Sequence, residues 1–86
     1  MYEVRYQKKA AQILIRISRN IAIRIRDKVE LVARRPYESH VNVKPLKGRK
    51  NCFRLRIGGW RIVYLLDDQS KTLLVAKIEQ RGQVYR

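Results

Sequence analysis

The chain has 86 residues and carries 21 lysines and arginines against 7 aspartates and glutamates, so its formal net charge is +14. This length predicts one domain over residues 1–86, and a hydrophobic fraction of 45% excludes a disordered chain. No apolar run approaches the roughly 18 residues of a membrane-spanning helix, and the first residues lack the apolar core of a signal peptide, so we expect a cytoplasmic protein with no membrane partner.

The first half of the chain predicts a strand followed by two helices. Residues 2–6 alternate and are rich in strand formers. From about residue 7 to 17, and again from about 19 to 35, apolar side chains recur at helical spacing. These side chains are Ala10, Ala11, Leu14 and Ile17 in the first run and Ile21, Ile25, Val29 and Val32 in the second. Residues 21–26 also alternate like a strand, but the longer window favours a helix that ends in cations before Pro36.

The second half predicts a polar connection and three strands. Residues 37–51 are polar and basic, and we interpret them as a loop or short turn segment. Alternating apolar runs follow at residues 52–57, 60–66 and 72–78, with a second turn at 67–71. The order β-α-α-β-β-β predicts an α+β fold, with two helices packed on one face of an antiparallel sheet.

The turn Gly58–Gly59 predicts how the two strands beside it pair. Glycine supplies the positive φ that a two-residue hairpin needs. If these two glycines are the whole loop, Ile57 lies opposite Trp60 and Arg56 lies opposite Arg61. One face of the hairpin then carries Arg54, Arg56 and Arg61, and the other, a candidate core face, carries Phe53, Leu55, Ile57, Trp60, Ile62 and Tyr64.

The arginine face lies in a stretch from Glu38 to Asp67 that has no acidic residue between these two ends. Like charges paired across strands destabilise a sheet, so stability does not explain the arrangement. Two interpretations stay open, a solvated face that keeps the protein soluble and a cleft for a polyanion. We prefer the polyanion cleft and assign RNA binding to the basic residues before the hairpin: Lys44, Lys47, Arg49 and Lys50.

Cysteine and histidine are too few for metal or disulfide chemistry. Cys52 is the only cysteine, which excludes an internal disulfide and a cysteine-based zinc cluster. His40 is the only histidine and has no second histidine to form a metal pair. We therefore expect no cofactor and no metal.

Several short motifs together resemble the RelE/ParE toxin superfamily, and the order of elements agrees along the whole chain. The motifs are Leu46-Lys-Gly48, the Phe-Arg-Leu-Arg strand at 53–56, Gly59-Trp-Arg-Ile-Val-Tyr64, the acidic pair Asp67-Asp68 and the ending Arg81-Gly-Gln-Val-Tyr-Arg86. The resemblance implies a toxin of a type II toxin–antitoxin system that forms a complex with a cognate antitoxin protein. In the RelE branch such toxins are mRNA interferases, endoribonucleases that cut mRNA without a metal, commonly on the ribosome, and so inhibit translation. The ParE branch poisons DNA gyrase, and a basic RNA-binding module without activity is a further alternative.

The resemblance also implies a set of catalytic residues: Arg54, Arg56, Arg61, Arg81 and Tyr85. We expect the arginines to orient the substrate and to stabilise phosphate charge, because guanidinium groups match phosphate and stay protonated. Tyr85 would be the general base; alternatively it stacks on a base or anchors the chain end. Many relatives have a histidine or an extra basic residue just before the position of Arg81, where this chain has Glu79 and Gln80, and some have lysines on the second strand where this chain has arginines. Glu79 could act as the base or neutralise Arg81.

Overall fold

Two helices lie on one face of a five-stranded mixed sheet. The computed structural model describes residues 1–80, and the elements follow in the order β1 (Glu3–Tyr6), α1 (Lys8–Arg16), α2 (Arg19–Arg34), β2 (Val43–Pro45), β3 (Cys52–Ile57), β4 (Trp60–Asp67) and β5 (Thr72–Gln80). The strand order across the sheet is β1-β5-β4-β3-β2. The predicted fold class is confirmed, and so is the helical interpretation of residues 21–26.

Local chemistry explains where the two helices meet. Ile17 ends α1 in an extended conformation, and Ser18 begins α2 as its N-cap, with its hydroxyl accepting from the Ile21 amide at 3.4 Å. Arg16 and Arg34 lie in the last turns, where a positive charge interacts favourably with the negative end of the helix dipole. Both helices therefore end close to their predicted ends.

Two details of the predicted sheet are wrong. The sheet is not wholly antiparallel, because β1 pairs in parallel with β5, from Glu3 opposite Thr72 to Tyr6 opposite Val75. Within the segment predicted as a loop, β2 pairs antiparallel with β3, with Lys44 opposite Arg54. A three-residue strand is too short to show alternation, and its proline is tolerated because β2 is an edge strand. Sequence periodicity locates strands but does not identify their partners.

The core lies between the helices and the sheet face that they cover. The buried side chains form one cluster: Ala10, Leu14, Ala22, Ile25, Val29, Val32, Ala33, Leu55, Ile57, Ile62, Tyr64, Leu66, Leu73, Val75 and Ile78. Phe53 and Trp60, which the hairpin register assigned to the core face, are partly buried and pack against this cluster. Among residues 1–80, no helix is long and apolar enough to cross a membrane.

Tyr64 carries the one polar group in this core that lacks a partner among residues 1–80. Its ring stacks on Phe53 with centroids 5.4 Å apart, and its side chain is 1% exposed. The hydroxyl makes no hydrogen bond within the described chain. Burial also raises the pKa of Tyr64 to about 12. A buried hydroxyl without a partner lowers the free energy of unfolding.

Replacing Tyr64 with phenylalanine is therefore expected to keep or raise stability, by up to about 1 kcal/mol at neutral pH. In the unfolded chain this phenol loses its proton near pH 10, whereas in the fold it does so near 12. The unfolded state is thus favoured as pH rises through this window, and the wild type should lose stability there more steeply than Tyr64→Phe. Urea denaturation of both proteins between pH 8 and about 11 measures the difference. Equal pH dependence would contradict the assignment to Tyr64.

Candidate nucleic-acid interface

The hairpin between β3 and β4 has the predicted register. Ile57 lies opposite Trp60, and Arg56 lies opposite Arg61. Gly58 has a φ of +56°, a conformation that favours glycine at this turn. Since Leu55 and Ile62 are buried beneath the helices, the alternating arginines belong to the opposite side of the sheet. We call this side the outer face.

A bulge in β5 aligns further charged residues with these arginines. The register between β4 and β5 shifts at Val63 and Tyr64, which leaves Ala76 without a partner opposite it. Beyond the shift, Lys77 lies opposite Val63, and Glu79 lies opposite Arg61. Without this extra residue, Lys77 and Glu79 would point towards the core. The bulge therefore adds one cation and one carboxylate to the outer face.

The outer face contains a groove of about 300 Å³, which we call the outer-face groove. Its lining residues are Leu46, Arg49, Cys52, Arg61, Val63, Leu65, Ala76, Lys77 and Glu79. One wall is the turn after β2, which is tied to the sheet by the hydrogen bond from the Leu46 amide to the Cys52 carbonyl at 2.9 Å. Gly48, with a φ of +77°, reverses the chain there, and Arg49 follows it into the wall. The groove is thus made by β3, β4, β5 and this turn.

The floor of the outer-face groove is apolar. Val63 and Leu65 are half-buried, and Cys52 is 1% exposed although it points away from the helices. The solvent side of an antiparallel sheet is ordinarily polar, so this floor needs an explanation. Sequence reasoning identified the arginines of this face but missed its apolar part. The signal was available, because the hairpin register puts Val63 opposite Arg54.

The three predicted hairpin arginines do not share one pocket. Arg61 lines the outer-face groove. Arg56 lines a separate cleft between α2 and the hairpin, together with Arg24, Asp27 and Lys28. Arg54 lies in the row between Lys44 of β2 and Val63 of β4. Any polyanion that contacts all three must therefore extend along the sheet.

The four basic residues assigned to RNA binding take different positions. Lys44 is exposed on edge strand β2, opposite Arg54. Arg49 is exposed at the wall of the outer-face groove. Lys47 and Lys50 are exposed in the turn that forms this wall. Arg81 and Tyr85, the remaining predicted site residues, lie outside the described residues.

Within residues 1–80, Glu79 forms an ion pair with Arg61. The Arg61 Nε and Glu79 Oε1 atoms are 3.9 Å apart, with side chains 41% and 40% exposed. A pair this long and this exposed contributes well under about 1 kcal/mol to stability. Glu79 therefore restrains Arg61 only weakly, and the guanidinium keeps free donors for another partner.

The four described tyrosines are held in their protonated form. Tyr2 and Tyr37 donate to the Asp68 carboxylate, at 2.9 Å for Tyr2 and at 2.6 and 2.7 Å to the two oxygens for Tyr37. These hydrogen bonds raise the pKa of both phenols, that of Tyr37 to about 12. Burial raises the pKa of Tyr6 and Tyr64. None of these four is suited to accept a proton near neutral pH.

His40 and the possible metal ligands of residues 1–80 lie apart from the outer-face groove or from one another. The His40 Nε2 atom lies 2.8 Å from the Arg35 carbonyl, so the histidine is engaged with the backbone of its own loop. No three side chains among histidine, cysteine, aspartate and glutamate come together as a metal-binding group within this part of the chain.

In comparisons with known proteins, a family model shows the family of this chain, and solved structures show its fold. A family model described as the ParE toxin of the type II toxin–antitoxin system parDE matches residues 4–85. The isolated RelE toxin of E. coli is similar with a TM-score of 0.82 and 20% identity, over 99% of this chain and 92% of that chain. An archaeal RelE–RelB complex from Pyrococcus horikoshii OT3 gives 0.81 and 21%, over 95% and 97%. The toxin–antitoxin complex RelBE2 from Mycobacterium tuberculosis gives 0.75 and 24%, over 93% and 98%. No curated protein sequence matches the chain significantly.

Proposed function

The chain belongs to the ParE toxin family of type II toxin–antitoxin systems, within the RelE/ParE superfamily, and we propose that it is a toxin of the RNA-cleaving kind. It acts as a metal-independent endoribonuclease that cuts mRNA on the ribosome and so stops translation. The observation that carries the proposal is the gathering of cations on the outer face of the sheet. Arg54 pairs with Lys44, Arg56 pairs with Arg61, and the outer-face groove adds Arg49 and Lys77.

The outer face has the charge of a phosphate-binding surface. Within the described chain, the outer-face groove is lined by three cations and one carboxylate. The cross-strand pair of Arg56 and Arg61 lowers stability by some tenths of a kcal/mol, and a polyanion removes this repulsion. Each phosphate that is neutralised also releases counterions from the nucleic acid. These two effects favour an extended polyanion over a small neutral substrate.

The chemistry we propose is transesterification within RNA. The 2′ oxygen attacks the adjacent phosphorus, the bond from phosphorus to the 5′ oxygen breaks, and the products are a 2′,3′-cyclic phosphate and a 5′-hydroxyl. Arg61 stabilises the charge that builds on the non-bridging oxygens, and Arg54 and Arg56 orient the chain of phosphates. We assign a further phosphate contact to Arg81.

Tyr85 is the general base in this proposal. Arginine is unsuited to this role because its pKa of about 12.5 or more leaves almost no neutral form. The other four of the five tyrosines have raised pKa values, through a hydrogen bond to Asp68 or through burial. A phenol near several guanidinium groups would instead ionise more readily, since positive charge favours the phenolate. The proton of the 2′-hydroxyl then passes to Tyr85, and the 5′ oxygen takes a proton from water or from a ribosomal group.

An action on DNA gyrase is the second candidate, and the description of the matching family model favours it. A gyrase poison needs a surface for a protein partner rather than a cluster of phosphate contacts. The cations of the outer face are explained by the RNA-cleaving function and have no evident use in the other. The two functions give different products, namely cut mRNA or broken DNA held by gyrase.

A cognate antitoxin is the partner we propose for this toxin. Two of the similar structures are toxin–antitoxin complexes, and the surface of this chain carries a formal charge of +14. Such a surface attracts an acidic segment and speeds its association. The toxin would thus be held in a complex with an acidic antitoxin in the cytoplasm, where mRNA and ribosomes are present.

Induction of the chain in bacteria tests the proposed function. We expect growth arrest, new mRNA 5′ ends in register with codons, and rescue when an acidic protein encoded by the neighbouring gene is co-expressed. The control is the variant Arg61→Ala, which should give few or no new 5′ ends. Growth arrest with intact mRNA and gyrase-linked DNA breaks would reject RNA cleavage in favour of the second candidate.

A further inference from the structure

Phosphate contacts do not account for the apolar floor of the outer-face groove. The apolar side chains of Val63 and Leu65 are partly exposed there, and the groove is also lined by the cations Arg49, Arg61 and Lys77. A phosphate gains nothing from such a surface, because burying a charge against carbon is unfavourable. The floor and its charged rim therefore point to a ligand with an apolar part and an anionic part.

We propose that the outer-face groove seats one unstacked nucleobase of a single-stranded RNA, with the flanking phosphates on Arg49, Arg61 and Lys77. This inference rests on the proposed function and adds to it the part of the substrate that the protein reads. Single-stranded RNA is ordinarily recognised in this way, by bases turned out of the stack and held on a side-chain platform. The groove would then fix which nucleotide lies beside the phosphate contacts of Arg61.

The size of the groove favours a base over a folded partner element. Its volume of about 300 Å³ is at the lower end of the range for small-molecule sites and too small for a helix. The wall formed by Leu46 and Arg49 and the opposite wall formed by Lys77 and Ala76 enclose a flat ring from two sides. The sheet itself provides the flat floor beneath it.

Glu79 fits a base better than it fits a phosphate. Its carboxylate repels phosphate, yet it lines the same groove as three cations. A carboxylate accepts hydrogen bonds from the exocyclic amino groups of bases. The Arg61–Glu79 distance of 3.9 Å leaves acceptor capacity on Glu79 for such a contact. The arrangement thus pairs each part of a nucleotide with complementary chemistry, carbon with the ring, Glu79 with amino groups and cations with phosphate.

The experiment compares two oligonucleotides that differ only in their bases. One is a mixed-sequence RNA with 2′-O-methyl groups, which cannot be cleaved by 2′-oxygen attack, and the other is an abasic 2′-O-methyl oligomer of equal length and charge. Fluorescence anisotropy at one salt concentration gives the affinity of each. Both oligomers make the same electrostatic contacts, but only one has a base that can occupy the groove. We therefore expect the wild type to bind the oligomer with bases more tightly.

Matched variants assign this difference to the groove. Leu65 and Leu74 are direct register partners on the outer face and both are half-buried, but only Leu65 lines the groove. We expect Leu65→Thr to lower the affinity for the RNA about 3- to 10-fold and to leave the abasic affinity within about twofold. Leu74→Thr should leave both affinities within about twofold. Val63→Thr, which keeps the side-chain shape and the strand preference, provides a second variant of the floor in case Leu65→Thr does not fold.

Two results would overturn the inference. One is equal binding of the two oligomers by the wild type, and the other is an equal effect of the Leu65 and Leu74 variants on RNA affinity. Failure of the proposed function is a separate observation, because it appears as uncut mRNA in induced cells. Uncut mRNA together with a base-dependent affinity that Leu65→Thr removes would reject cleavage and still support the base site.

Discussion

Replacing Arg61 with alanine is expected to lower the rate of RNA cleavage about 100- to 1000-fold, because it removes a hydrogen-bond donor that stabilises the negative charge building on the phosphate in the transition state. The affinity for RNA should fall as well, since the same group contacts phosphate in the ground state. Arg61 lines the outer-face groove, and its ion pair with Glu79 is long and exposed, so the loss should come from the substrate rather than from the fold. Single-turnover cleavage at saturating enzyme, with ribosomes supplied, measures the rate, and RNA titration measures the affinity.

Two further arginine variants separate a local effect from net charge. Arg19→Ala removes the same charge from an exposed position at the start of α2, and its cleavage rate should stay within about threefold of the wild type. Arg56→Ala should have an intermediate effect, because Arg56 lines the cleft beside α2 rather than the outer-face groove. If Arg19→Ala and Arg61→Ala lower the rate equally, Arg61 has no specific role in the reaction.

Tyr85→Phe is expected to lower the single-turnover rate by about 100-fold or more with almost no change in affinity. The variant keeps the aromatic ring, and therefore any stacking on a base, while it removes the group that accepts the proton. With the other four tyrosines held protonated by Asp68 or by burial, no described tyrosine is suited to replace it. The rate of the wild type should also rise with pH until the Tyr85 phenol is ionised, and this rise should be absent from the variant.

Glu79→Gln is the matched comparison for the proton acceptor. Glu79 is the one carboxylate that lines the outer-face groove. If Tyr85 is the base, Glu79→Gln should change the rate less than about tenfold, through the position of Arg61 or of the substrate. A wild-type rate for Tyr85→Phe together with a large loss for Glu79→Gln would transfer the role of base to Glu79.

Sequence patterns were most informative where the structure is determined locally. Two helical runs predicted α1 and α2 to within about one or two residues at each end, because amphipathic spacing is a property of a single helix. Gly58 and Gly59 fixed the register of the hairpin, since a two-residue turn allows only one pairing of its strands. Both results followed from contacts between residues close together in the chain.

Features that depend on distant segments could not be predicted in the same way. The bulge at Ala76 determines that Lys77 and Glu79 join the outer face. Its one sign in the sequence is that the apolar alternation changes parity between Val75 and Ile78, and this change alone does not distinguish a bulge from the end of a strand. The cleft lined by Arg56 forms because α2 packs near the end of the hairpin, and such packing between distant segments is not visible in local sequence patterns. The wall that covers Cys52 is formed by a turn, and turns carry no periodic signal.

The parallel pairing of β1 with β5 bears on how a newly made molecule becomes harmful. β1 is the first described strand, but its only partner in the described sheet is the last described strand, from Glu3 opposite Thr72 to Tyr6 opposite Val75. Pairing between such distant segments slows folding, because the entropy of closing a long loop is lost before the contacts compensate for it. β5 also supplies Lys77 and Glu79 to the outer-face groove. A nascent chain therefore has no complete outer-face groove until β5 has emerged from the ribosome. Under the proposed function, this delay would give an antitoxin made nearby the time to bind the toxin before RNA is cut.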